Sequence, residues 1–392
     1  MRGGPAVNRT ARGSRGEPGR RKGRRRWVRW GAVGAGLAVV VAGGVGWAVY
    51  AKLDSNITPD EAAAAELARY EKERPGAAAR GAQNILVIGS DSRSGSGNRR
   101  YGRDSGTERS DTTILLHLSA GRRSVTAVSI PRDLMVDVPA CRRPDGRRSR
   151  PQFGMFNYAF QVGGSACTIR TVERMTNIRV DHHMVVDFQG FKKLVDALDG
   201  VQICLSEPID DKAARLRLPA GRVTLNGEQA LGYVRARKSL GNGSDTARME
   251  RQQRFLAALV HKAQSNDVLL NPVRLYPVLD AATSSLTTDP DLASLRGLYD
   301  LVRGVRDIPT ERVQFLTVPR ESYRYNANRD QLMEPEAGRL FERLRRDAPL
   351  KVVDSPRSSQ GSADAGQSNR AAGPTPPAPT FRGNTAAENT CE

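Results

Sequence analysis

An uncharged run from Trp30 to Ala51, about 22 apolar or small residues, limits most strongly what this chain can fold into. A segment of that length can cross the hydrocarbon core of a bilayer. It does so only as a helix, because no water is there to satisfy its backbone N–H and C=O groups. Trp27, Trp30, Trp47 and Tyr50 bracket the run, where amphipathic rings favour the membrane–water interface. On its N-terminal side stand Arg20, Arg21, Lys22, Arg24, Arg25, Arg26 and Arg29, and residues 2–29 hold eleven basic side chains against one acid, Glu17. By the positive-inside rule the N-terminus stays cytoplasmic and the bulk of the chain lies outside, as a single-pass protein of the cell membrane. A cleaved signal peptide is the alternative, but the run is longer than a usual signal core and no A-x-A site closes it. A basic arm also suits nucleic acid. Here no recognition-helix pattern precedes the span, so no nucleic-acid partner is expected.

The formal net charge of the 392 residues is 61 − 42 = +19, and about half of it lies in this arm. Residues 1–29 read as a disordered basic cytoplasmic tail, 30–51 as the transmembrane helix and 52–83, rich in Ala, Glu and Arg, as a stalk or linker. At Asn84 the texture changes. Ile85-Leu86-Val87-Ile88 reads as a buried strand ended by Gly89, and Thr112–Leu118 and Ser124–Ile130 as two more, joined through Ala120-Gly121-Arg122. Cys167–Asn177 reads as a helix and 184–188 as a strand. Phe191, Leu194, Val195 and Leu198 have helical spacing, and Val201–Leu205 is a strand. Thr246–Gln264 is an amphipathic helix on Phe255, Leu256, Leu259 and Val260; Leu292–Val302 is helical and Val313–Val318 extended. The alternation implies an α/β fold: one extracellular domain over 84–350, a central mixed β-sheet flanked by helices. Residues 351–392, rich in Ser, Gly, Pro and Asn, read as a disordered tail.

None of the four cysteines, Cys141, Cys167, Cys204 and Cys391, forms a C-x-x-C pair, so metal and thioredoxin-like roles lack support. Outside the cell disulfides are permitted. Cys141 and Cys167 flank one basic loop and are the expected bridge; Cys391, in the polar tail, is expected to be unpaired with the core.

The chemistry-bearing residues fall in short motifs: Gly89-Ser90-Asp91-Ser92-Arg93, Arg109-Ser110-Asp111-Thr112, Ser129-Ile130-Pro131-Arg132-Asp133, Val234-Arg235-Ala236-Arg237 and Arg248-x-x-Arg251-Gln252-Gln253. Guanidinium forks match phosphate oxygens in geometry and charge, whereas carboxylates repel them. The two types belong together where a hard cation bridges carboxylate and phosphate. Asp91 follows a strand and Gly89, at the end of a strand where α/β folds place ligands. Arg109 and Asp111, two apart in extended chain, share a face, as do Arg235 and Arg237. Two like charges on one face are unfavourable unless an anion sits between them. Arg248 and Gln252, four apart on a helix, are neighbours. Each motif alone reads equally well as a solvated surface; together they describe a metal-assisted pyrophosphate clamp. There is no P-loop and no G-x-S-x-G, and the four histidines lack metal spacing and read as structural.

These motifs, with Val195-Asp196-Ala197-Leu198-Asp199-Gly200-Val201 and Leu225-Asn226-Gly227-Glu228-Gln229-Ala230-Leu231 in the same order, resemble the LytR-CpsA-Psr family of cell-wall ligases. The match covers roughly residues 84–265 closely. The Arg-, Ala- and Gly-rich usage is similar to proteins of high-GC actinobacteria. The resemblance implies a phosphotransferase that moves a glycopolymer from a polyprenyl-pyrophosphate carrier to a muramic-acid hydroxyl of peptidoglycan, leaving a phosphodiester. By that resemblance Asp91 and Asp111 would hold Mg²⁺ (or Mn²⁺). Arg109, Arg132, Arg235, Arg237, Arg248 and Gln252 would bind the pyrophosphate, with Asp91, Arg109, Asp111 and Arg132 closest to the chemistry. The family's lipid tail lies in an apolar tunnel whose lining the sequence does not name. Asp199 stands where the family usually has Gly. The general base is open between Asp91, Asp133 and a phosphate oxygen, and the polymer is open altogether. A pyrophosphatase on the same lipids and a non-catalytic membrane-bound wall regulator are the rival functions.

Overall fold

The computed structural model describes residues 21–77, 79, 81–90, 110–212, 214–236, 245–265, 271–354 and 380–388; for 21–29, 31–32, 111, 245–247, 272 and 354 it describes the backbone alone. The chain divides into two compact units, Met1–Lys52 and Leu53–Glu392. The first helix, α1 (Arg21–Asn56), contains a candidate membrane span over Val33–Asn56, longer than the expected 30–51 because the helix continues through Lys52 and Asp54. Apolar side chains along its described middle are exposed: Val39 is 71% and Trp47 73% exposed. A helix with lipid as its solvent has that character.

The second unit opens with β1 (Thr58–Pro59) and α2 (Glu61–Arg69), then β2 (Gln83–Ser90), β3 (Ser110–Leu118), β4 (Val125–Ile130), β5 (Met135–Val138), β6 (Gln152–Met155) and α3 (Asn157–Thr176). It continues through β7 (His182–Asp187), α4 (Phe188–Ala197), β8 (Val201–Leu205), β9 (Ile209–Asp211), β10 (Leu216–Leu218), β11 (Gly221–Leu225), α5 (Gly227–Arg235) and α6 (Asp245–Ala263). Next come α7 (Pro272–Thr283), β12 (Leu286–Thr288), α8 (Leu295–Val305), β13 (Val313–Thr317), β14 (Arg320–Tyr323), β15 (Asn326–Leu332), α9 (Glu336–Arg345), β16 (Lys351–Asp354) and β17 (Thr380–Thr385). Nine strands form one mixed sheet in the order β1-β12-β7-β2-β3-β4-β13-β17-β16. The meander β2-β3-β4 is antiparallel, while β7 and β13 join its two sides in parallel.

Period-two alternation places one set of strand residues on each face. Leu86, Ile88, Leu115, Val128, Ile130 and Leu316 pack against α2, α3 and α9. Ile85, Ile114, Ala127 and Phe315 face α6 and α8. Helices therefore cover both faces, as a sheet with parallel strands requires. A smaller core is built by β8–β11, α4 and α5 around Phe255 and Ala258 of α6. Helix α6 is thus buried on two sides, by Ala257 toward the sheet and Phe255 toward the small core.

Three expectations change at this level. Residues 52–83 carry more than a stalk: β1 pairs with β12, Asp60 caps α2, and Arg74 Nη2 donates to Glu173 Oε1 at 2.8 Å. Within 351–392, Lys351–Asp354 and Thr380–Thr385 pair with each other, and β17 joins β13. Phe381 fills the core there, a contact that tail composition does not encode. The helix expected from Cys167 begins ten residues earlier, at Asn157, and bends at Gly163 (φ −149°, ψ 27°) and Gly164 (φ 60°, ψ −149°), whose dihedrals leave the helical range. A Cβ at Gly163 would sit 2.8 Å from Arg142 O, so the absence of a side chain lets the disulfide-bearing loop close onto α3. The expected Cys141–Cys167 bridge is present, with Cα atoms 5.6 Å apart. Cys204 is also in a disulfide, and Cys391 lies outside the described residues.

Candidate functional site

The central strand β4 is buried along its whole length and ends at Ile130. Pro131 then fixes the backbone and projects Arg132 at the strand's end. Arg132 Nε donates to Asp133 Oδ2 at 3.3 Å, and Arg329 Nη1 on β15 donates to the other oxygen, Asp133 Oδ1, also at 3.3 Å. One carboxylate thus serves two guanidiniums. The backbone repeats the link, since Asp330 N donates to Asp133 O and Leu134 bridges Asp330. Arg329 carries no signal in the sequence, because its role depends on Asp133, 196 residues away.

The N-terminal half of α6 lies over the ends of β3, β4 and β13. Gln253 Nε2 donates to Ser129 Oγ (3.3 Å) and Thr317 Oγ1 (3.0 Å), and Arg251 Nη2 donates to Ala236 O. Gln252 Nε2 donates to Val234 O at 3.1 Å and makes a longer contact, 3.4 Å, with Thr112 Oγ1. These bonds lock α6 in register, so Arg248, one turn before Gln252, is buried beside the strand ends. An open, shallow cleft results, lined by Thr112, Thr113, Ser129, Pro131, Arg132, Arg248 and Gln252. Hydroxyls and guanidiniums converge there, the donor set an oxyanion needs.

On the neighbouring strand a β-bulge interrupts the pairing. Gly89 pairs with Thr112 and Ser90 with Ser110, leaving Asp111 as the extra residue. Bulges of this kind mark sites next to chemistry. A Cβ at Gly89 would meet Thr112 Cβ at 3.3 Å, tight for any other residue. The second basic motif ends α5. Its first turn carries a capping box of Asn226 and Gln229, and Gly227 approaches α4 so closely that a Cβ would lie 2.4 Å from Lys192 O. Arg235, in the last turn, stacks its guanidinium over Phe188, 4.6 Å from the ring centre. The loop before β8 explains the departure at Asp199. Its φ is +57° and that of Gly200 +85°, and a short acidic side chain is among the few that tolerate the left-handed region.

Of the residues expected at the site, Arg132, Arg248 and Gln252 line one cleft, and Arg235 sits next to Val234, which Gln252 touches. The backbone of Asp111 adjoins cleft-lining Thr112. Asp91, Arg109 and Arg237 lie outside the described residues, though each follows or precedes a described one: Ser90, Ser110 and Ala236. The amide of Gln252 is engaged with protein atoms, which gives it a scaffolding part as well. Threonines 112 and 113 were not singled out in the sequence; period two in the strand beside Asp111 was the available signal. Three of the four histidines are tied into the scaffold: His117 to Asn84 (2.8 Å) and Asp347 (3.0 Å), His182 to Asp289 (3.1 Å) and His183 to Asp60 (3.1 Å).

The profile of the LytR_cpsA_psr family matches residues 50–346. The chain belongs to this family. Its match begins within α1, so the family unit includes the segment expected as a stalk. Among relatives, the chain is 38% identical over 212 residues to the probable cell wall biosynthesis protein LcpB of Corynebacterium glutamicum, covering 52% of this chain and 47% of that protein. It is 33% identical over 270 residues to LcpA of the same organism, covering 62% and 51%. The chain therefore spans about half the length of these two relatives. With the polyisoprenyl-teichoic acid–peptidoglycan teichoic acid transferase TagT of Bacillus subtilis it shares 28% identity over 335 residues, 80% of this chain and 95% of that one. Two solved LytR-CpsA-Psr relatives share the fold: an Actinomyces oris enzyme (TM-score 0.53, 20% identity, 69% of this chain and 96% of that one) and B. subtilis TagV (TM-score 0.54, 22% identity, 69% and 99%).

Proposed function

We infer that this chain transfers a glycopolymer from a polyprenyl-pyrophosphate carrier to a peptidoglycan hydroxyl, forming a phosphodiester, from a position anchored at the outer face of the cell membrane. The observation that carries this reading is the cleft in which Arg132, Arg248, Gln252 and two threonines meet beside the bulge at Asp111. The acceptor oxygen forms a bond to the phosphorus that bears the polymer, the bridging P–O bond breaks, and polyprenyl phosphate leaves. Arg132 and Arg248 stabilise the charge that develops on the non-bridging and leaving oxygens. Because Asp133 is held by Arg132 and Arg329, it acts first as the anchor that aims Arg132. The acceptor's proton goes to Asp91, to Asp133 or to a phosphate oxygen.

The donor chemistry near the bulge fits a divalent cation. Asp91 and Asp111 each follow one member of the Ser90–Ser110 pair on adjacent strands, and carboxylate oxygens are the ligands that Mg²⁺ or Mn²⁺ takes. When bound there, such a cation supplies Lewis-acid polarisation of the phosphate oxygens. The Cys141–Cys167 disulfide supports the external placement of the domain, and the candidate span Val33–Asn56 supports the anchor.

The deciding assay gives the purified full chain a lipid-pyrophosphate-linked glycan and polymer-free peptidoglycan, with and without excess chelator. Polymer covalently attached to peptidoglycan, lost on chelation, is expected. Release of free phosphorylated polymer without attachment would establish the pyrophosphatase instead. Undiminished transfer in chelator would remove the metal from the proposal.

A further inference from the structure

Beside the cleft the molecule displays an aromatic patch that the chemistry above does not use. Phe153 on β6 is 54% exposed and Tyr325, at the tip of the β14–β15 hairpin, is 70% exposed. Tyr323 links them, with ring centres 6.0 Å from Phe153 and 5.4 Å from Tyr325. Arg324 lies over the Tyr325 ring at 4.3 Å. Large exposed rings in contact cost solvation unless something covers them.

The patch is continuous with the site. Its hairpin carries Arg329, which shares Asp133 with Arg132, and Asp330, whose N–H bonds Asp133 O. Asp330 is four steps along the strand from Asn326, roughly 13 Å at the usual rise per residue. The second hairpin, β5–β6, starts at the cleft beyond Asp133, passes Phe153 opposite Asp137, and ends in an exposed loop with Arg142, Arg143, Arg147, Arg148 and Arg150. The Cys141–Cys167 disulfide fixes that loop to α3. Cleft, rings and basic loop therefore lie along two hairpins that leave the same point.

We propose that this patch is the docking surface for the acceptor, an anionic glycan strand whose sugar faces stack on Phe153 and Tyr325 while its carboxylates meet the arginine loop. The inference rests on the transfer reading above. The surroundings of the rings select a carbohydrate over a lipid surface. Asn326, Asn328, Gln331 and Arg324 supply amide and guanidinium groups suited to hydroxyls, and the hairpin tip offers no exposed leucine, isoleucine or valine for insertion among acyl chains. The acceptor rather than the donor is assigned here because both hairpins meet at Asp133, the neighbour of Arg132, so a strand seated along them leads to the phosphate that Arg132 and Arg248 would hold.

The test measures binding of the full-length chain in detergent to polymer-free peptidoglycan glycan strands, alongside transfer kinetics. Phe153→Ala and Tyr325→Ala are expected to weaken glycan binding roughly tenfold each and to raise the acceptor KM with kcat unchanged, while Tyr325→Phe, which keeps the ring, binds as the parent does. Unaltered glycan binding in both alanine variants, with transfer intact, overturns the docking surface and leaves the transferase reading standing. Loss of binding to phosphatidylglycerol vesicles alone, or competition by lipid-free donor polymer in place of acceptor strands, also overturns it. A parent chain that neither binds glycan nor transfers overturns both readings.

Discussion

Arg74 and Arg132 are both partly buried arginines hydrogen-bonded to an acid, yet their surroundings differ in one respect that separates scaffold from site. Arg74 is closed off. Its Nε and Nη2 donate to Glu173 Oε1 at 3.0 and 2.8 Å, Nη2 also reaches Val180 O at 2.6 Å, and Glu173 accepts Val180 N–H in return. Burial works against its charge, but the bond to Glu173 and the charges of Glu173 and Glu71 outweigh that and raise its pKa above the ordinary value. At the cleft, by contrast, Arg132 and Arg329 meet on Asp133, and Arg132 and Arg248 both line an open cleft. A guanidinium there keeps its charge and its planar fork of donors, the geometry that a phosphate matches. The difference teaches that arginines lining an open cleft mark the candidate binding region better than the number of arginines does.

The sharpest way to break this contrast is at Glu173. Glu173→Ala removes the principal acid partner of Arg74, leaving it Glu71 at 3.4 Å and Val180 O, and removing one partner of a buried pair costs about 3–5 kcal/mol. Calorimetry is expected to show a large fall in Tm, with transfer preserved at temperatures where the variant is folded. An unchanged Tm would place Arg74 outside the scaffold. Arg132→Ala is expected to do the reverse. Transfer falls about 10²–10³-fold, the loss typical when one oxyanion donor is removed, while Tm stays close to the parent's. Arg132→Lys recovers little, since an ammonium lacks the planar fork. A smaller effect is expected at Gln252. Its alanine variant frees Val234 O and loosens Arg235 and the α6 register, so kcat/KM drops about tenfold with a Tm loss near 1 kcal/mol equivalent. Equal losses of stability at Arg132 and Glu173 would dissolve the distinction.

The elements that local patterns specify were legible: the β2-β3-β4 meander, the α4 and α6 stripes and the strand at 313–317 all appear where their periodicities place them. The site was legible as motifs, because strand ends and a helical i, i+4 pair fix the relative positions of Arg132, Arg248 and Gln252 once the fold class is known. What escaped depends on distant partners. Nothing local to Arg329 announces Asp133, nothing in the tail announces that Thr380–Thr385 completes the sheet beside β13, and the Ala-rich stretch before Asn84 gains its structure from β12 and α3. The bend at Gly163–Gly164 was hidden too, since glycine pairs in sequence are compatible with helix, loop or contact, and only the close approach of Arg142 O selects among them.

The sheet edge opposite the cleft extends the comparison to pH. His182 is half-buried beside Asp289. Burial disfavours its charge, but the hydrogen bond and charge of Asp289, helped by Asp181 and Asp291, prevail and raise its pKa. Asp289 is lowered, its burial outweighed by the bonds from His182 and His183 N–H. A raised histidine contributes stability that is complete below its ordinary value of 6.5 and fades as pH climbs through the higher folded value. A lowered aspartate contributes above its ordinary 3.8 and fades as pH falls through the lower folded value. This edge is therefore most stabilising between those two limits. His182→Gln, measured by Tm from pH 6 to 8.5, is expected to flatten the alkaline decline slightly while leaving the Arg132-dependent rate untouched. A variant that instead moves the pH profile of transfer would show that the scaffold edge and the cleft titrate together, and the two regions would have to be treated as one electrostatic unit.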